Sequence, residues 1–114
     1  MPREGLHPDV ALSIRLGAIM SRNQYTRDPA PVIDELYTTA GDRLDILTTE
    51  VGLWVGFYSI PENQVLCDAL RSLPLDTAAA IEEGSRRRRA GAYSTTGFNG
   101  PYGTGVGSND STVR

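Results

Sequence analysis

Val51-Gly52-Leu53-Trp54-Val55-Gly56-Phe57-Tyr58-Ser59-Ile60 decides the fold, because its composition suits two structures. Its β-branched and aromatic residues favour a strand, and each glycine weakens a helix by about 1 kcal/mol relative to Ala. Spacing argues the other way. Leu44, Leu47, Val51, Trp54 and Tyr58 recur at steps of three and four, one helical face that Ile46, Leu53 and Phe57 widen. With no second convincing strand nearby to pair with it, the segment reads as the helix at the centre of the fold.

Gly52 and Gly56 form a Gly-x-x-x-Gly spacing, which lets another backbone come close. In membranes that spacing marks helix pairing. Here the uncharged apolar run of residues 51–61 is about half of the roughly 20 residues a bilayer requires. The glycines are therefore expected to make room for a crossing helix of the same chain, with a self-association seam as the alternative. Gly52, Trp54, Gly56 and Tyr58 are the candidate core or interface residues.

The flanking sequence supplies more helices. His7-Pro8-Asp9 reads as a helix start over residues 8–21, with Val10, Ile14, Leu16, Gly17, Ile19 and Met20 as its stripe. Asp28 before Pro29 reads as an N-cap, followed by Val32, Ile33, Leu36 and Tyr37 inward and Gly41 as the stop. Asp42 is the expected cap of the central helix. After the break at Ile60-Pro61, Glu62 begins a helix with Val65, Leu66, Ala69, Leu70 and Leu73 inward, ended by Pro74. Asp76 caps a last helix from Thr77 that can run through Gly84 into the arginine block. The sum is an all-α bundle of four to five short helices.

Charge divides the chain at Arg86-Arg87-Arg88-Arg89. Residues 1–85 hold six Arg against 13 Asp and Glu, a formal −7; residues 86–114 hold five Arg and one Asp, a formal +4. Lysine is absent, so all 11 basic residues are Arg. Coding bias in a GC-rich genome explains the scattered arginines but not four in a row. From Ala90 onward the sequence is rich in Gly, Ser, Thr and Asn, with Tyr93, Phe98 and Tyr102 too far apart to nucleate a core. Residues 1–85 thus read as the helical body. Residues 86–114 read as a basic root with a flexible or extended arm, whose Asn99-Gly100 could turn a partner-bound ribbon despite Pro101.

Little points to catalysis. His7 is the only histidine and sits where a helix begins, sixty residues from the single cysteine, Cys67. Cys67 lies in an apolar run and reads as a buried thiol, and one cysteine permits no internal disulfide. The acid pairs Asp34/Glu35, Asp42/Asp45 and Glu82/Glu83 are better read as surface or first-turn residues. No metal-ligand spacing and no phosphate loop is present. The chain is therefore expected to be no enzyme and to need no cofactor or metal.

The expected role is structural. A helical body with an arm (Arg86, Arg87, Arg88, Arg89, Tyr93, Phe98, Tyr102) can dock on neighbouring protein subunits, as a homo-oligomer or in a larger assembly. By analogy of architecture alone, the specific expectation is a head–tail connector component of a phage virion. The alternative is a regulatory protein that contacts nucleic-acid phosphates non-specifically through the four arginines. The N-terminus has no basic-then-apolar leader, so a cytoplasmic or virion location is expected and a membrane partner is not.

Overall fold

His7 opens the bundle: its Nδ1 accepts a hydrogen bond from the Asp9 amide at 3.0 Å, capping the first helix. The computed structural model describes residues 6–91. In order it contains α1 (Pro8–Arg22), α2 (Ala30–Ala40), α3 (Leu44–Tyr58), a 3₁₀ turn (Pro61–Asn63), α4 (Gln64–Arg71) and α5 (Ala78–Ala90). The fold is an all-α bundle of five helices, and residues 51–58 are helical as the spacing required.

α1 and α3 run parallel. Asp9 meets Arg43 at their N-terminal ends and Ser21 meets Trp54 near their C-terminal ends, with α2 returning between them. The core is built by α1 to α4. Leu12, Leu16, Ile19 and Met20 of α1 pack with Val32, Leu36 and Ala40 of α2, Leu47, Val51, Trp54 and Val55 of α3, and Leu66, Cys67 and Leu70 of α4.

Three positions depart from the sequence expectation. Ile14 is 39 % exposed and Val65 44 % exposed, whereas Leu12 is buried; Cys67 is buried, as its apolar run implied. The physical reason is rotation: Leu12, Leu16 and Ile19 lie on one helical face at steps of four and three, and Ile14 falls off it. Leu44, at the open end of α3, is also exposed. The helix starts differ as well. Pro29, Arg43 and Thr77 occupy the cap positions of α2, α3 and α5, each without a side-chain cap bond, so Asp28, Asp42 and Asp76 stand one residue too early.

Residues 51–56 of α3 are all buried, which explains why this segment resembled a strand. α1, α2 and α4 cover one side of it. α5 covers the other.

Candidate interaction site at the α3–α5 seam

The seam is made by backbone. A Cβ placed on Gly52 would meet the Ala80 Cβ and lie 2.9 Å from the Thr77 carbonyl oxygen. One on Gly56 would strike the Ile81 carbonyl and approach the Ser85 nitrogen to 2.9 Å. From the opposite side, a Cβ on Gly84 would run into the Leu53 carbonyl and come 3.1 Å from the Gly56 Cα. These partners advance together along both helices, so α5 runs parallel to α3. The glycine pair seats a helix of the same chain, and its counterpart is Ala80-x-x-x-Gly84.

Gly84 and Ala80 were missed as partners in the sequence because Glu82, Glu83 and the arginines make α5 look wholly polar. The spacing of two small residues four apart was the available signal. Ser85 adds a hydroxyl bond to the Gly56 carbonyl at 3.4 Å.

α5 carries the four arginines to its end at Ala90, and Gly91 caps it in the left-handed conformation (φ 76°). They sit where the helix dipole favours positive charge. The block divides by partner. Arg86 pairs with Glu83 and, at 3.9 Å, with Glu82; Arg87 donates to Glu83 Oε2 at 2.8 Å. Both arginines hold the Glu83 carboxyl below its usual range, Arg86 foremost. Arg88 instead reaches across to α3 and donates to the Ser59 carbonyl at 2.8 Å. Arg89 is exposed and forms no ion pair among the described residues.

Ser59 is the residue just past α3, and a second arginine arrives there. Arg71, the last residue of α4, donates to the Ser59 hydroxyl at 3.1 Å and lies 3.4 Å from Asp68. Beside it Asn63 is 1 % exposed and engaged at both amide atoms: its Oδ1 accepts from the Ile60 amide and the Cys67 thiol, and its Nδ2 donates to the Tyr58 carbonyl. Burial pushes the Cys67 thiol up, which suits an inert core residue.

Trp54 is 1 % exposed, with its indole N–H donating to Ser21 Oγ at 3.0 Å and its ring 5.4 Å from Tyr58. Tyr58 is half-buried and stacks edge-on with Phe57. Glu50 of α3 is half-buried; burial raises its pKa, against the opposing pull of the Ser13 hydroxyl and the Arg87 charge.

The structure thus brings Gly52, Gly56 and Arg88 together at the seam and its C-terminal end. Tyr93, Phe98 and Tyr102 lie outside the described residues. Among the described residues, no group of three or more His, Cys, Asp or Glu is placed to hold a metal ion, and no helix is long and apolar enough to cross a membrane. No protein-family model, curated protein or solved structure matches the chain.

Proposed function

We propose that this chain is a non-enzymatic assembly or adaptor protein, docking on neighbouring subunits through its helical body and the segment after α5. A connector component of a phage virion is the specific form of the proposal. The observation that supports it is the way α5 is mounted. Gly84 is the one buried residue of α5 and Ile81 alone of its side chains packs, part-buried, against the core, so the helix adds little apolar surface there. Yet its azimuth and height on α3 are set by three backbone contacts. A helix held that way serves to aim what it carries: Arg88, Arg89 and the residues following Gly91.

The test is mass in solution by light scattering, for the full chain and a chain ending at Gly91, each alone and with native neighbours. A defined oligomer or complex that needs residues 92–114 supports the proposal. A monomer under every condition rejects it.

Contact with nucleic-acid phosphates through all four arginines is the second reading. It is disfavoured because Glu82 and Glu83 already engage Arg86 and Arg87. Replacing the four with Ala would flatten the salt dependence of DNA binding if they touch phosphates. Equal slopes for the two proteins would remove this reading.

A further inference from the structure

Arg71 and Arg88 come from different helices and meet on one residue. Arg71 Nη2 donates to the Ser59 hydroxyl at 3.1 Å, and Arg88 Nη1 donates to the Ser59 carbonyl at 2.8 Å. Their charge is poorly compensated. Among the described residues Arg88 forms no ion pair, and Arg71 has only Asp68, a 3.4 Å contact to a carboxylate that is itself 64 % exposed. Glu62, in the adjoining 3₁₀ turn, is exposed and pairs with neither. Arg89 adds a further positive charge next in the chain.

Capping explains part of this arrangement. The Arg88 bond to the Ser59 carbonyl satisfies the exposed end of α3 and offsets the negative pole there. It does not explain Arg71, which contacts the hydroxyl and no carbonyl. A guanidinium has five N–H donors. Arg88 spends one on Ser59, while Arg71 spends one on Ser59 and one on Asp68. The remaining donors belong to side chains from two helices that meet at Ser59, whose hydroxyl also bonds with Cys67. Planar, forked guanidiniums recognise carboxylates and phosphates, and of these a doubly charged phosphate would balance both arginines where a carboxylate would balance one.

We propose that Arg71, Arg88 and Ser59 form a seat for a phosphate group. The seat is independent of the assembly reading: it uses no residue beyond Gly91 and needs no second subunit. It also differs from a simple basic run. Arg86 and Arg87 take no part, and Arg71, seventeen positions from Arg88, does.

The probe is inorganic phosphate, titrated into the full chain at constant ionic strength, with acetate as the comparison. Amide chemical shifts of the unaltered protein should move saturably at Ser59, Arg71 and Arg88 with phosphate and stay still with acetate. Arg88→Gln and Arg71→Gln should each weaken phosphate binding by about tenfold or more, and Arg15→Gln, an exposed arginine on α1, should leave it unchanged. A short oligothymidylate tells the sources apart: shifts at the same amides assign the phosphate to a polynucleotide backbone, and their absence assigns it to free phosphate or a phosphomonoester. Shifts scattered over all arginines, an equal response to acetate, or no saturable response would overturn the proposal. The measurement on the unaltered protein keeps it testable should a variant fail to fold.

Discussion

Gly56 and Gly84 face each other across the seam so closely that a Cβ on Gly84 would lie 3.1 Å from the Gly56 Cα. At an exposed helical site, Gly→Ala gains about 1 kcal/mol. Here the added methyl meets the Leu53 carbonyl, which cannot swing aside as a flexible side chain would. Overpacking of this kind costs about 1–3 kcal/mol and more where backbone must move. Gly84→Ala should therefore lower stability in urea unfolding. A stabilised variant would show that α5 does not rest on α3 in this way.

Trp54 tests the other side of α3. Its ring is enclosed by the core, so Trp54→Ala should cost roughly 3–5 kcal/mol, a large part of the stability of a domain this size. Equilibrium unfolding measures it. A variant that stays fully stable but loses assembly would instead place the ring at an interface.

Asn63 is the buried polar hinge between α3 and α4. Asn63→Ala strands the Ile60 amide and removes the bond to the Tyr58 carbonyl, a loss of about 1–3 kcal/mol. The same change frees the thiol of Cys67 from its acceptor. Cys67 should react with a thiol reagent only through opening of the native state, and faster in Asn63→Ala. Equal rates for the two proteins would count against this role.

Acids at different depths give opposite pH responses. The Glu50 pKa is raised, chiefly by burial, so the folded state binds its proton more tightly than the unfolded state does. The cost of its charge appears as pH rises through the unfolded value and is complete above the folded one. Glu50→Gln should accordingly stabilise the protein at pH 7, and the gain should vanish in acid. Asp9 and Asp45, lowered first by their hydrogen bonds to Arg43, behave inversely. Their contribution is present above the unfolded pKa and is lost as pH falls through the folded one. Melting curves of the unaltered protein and Glu50→Gln from pH 3 to 7 check the Glu50 sign, and a constant difference would refute it; the same curves for Asp9→Asn, carried below pH 3, check the Asp9 sign, its deficit shrinking as pH falls.

The helices were legible because most of the core obeys a three-and-four spacing that flanking prolines and glycines punctuate. Residues 44–58 resisted a simple reading because two separate layers cover them: four helices share one apolar core, and α5 arrives on bare backbone. Ile14 and Val65 were misplaced inward because an apolar residue one or two positions off a face resembles a member of it. Gly52 and Gly56 could be read from spacing, whereas Gly84 was hidden by the charges around it. Arg71 could not be found from sequence. Only the fold brings α4 and α5 to the same serine.

The seam between α3 and α5 also acts as a detent. Side-chain packing can yield a little by changing rotamers, but a helix indexed by touching backbones has one resting notch. Sliding α5 by a single residue would replace Gly84 at the Leu53 carbonyl with Glu83 or Ser85, and both carry a Cβ that cannot fit there. Where α5 ends at Gly91 is thus set more than thirty residues earlier, by two positions in α3 that have no side chain at all.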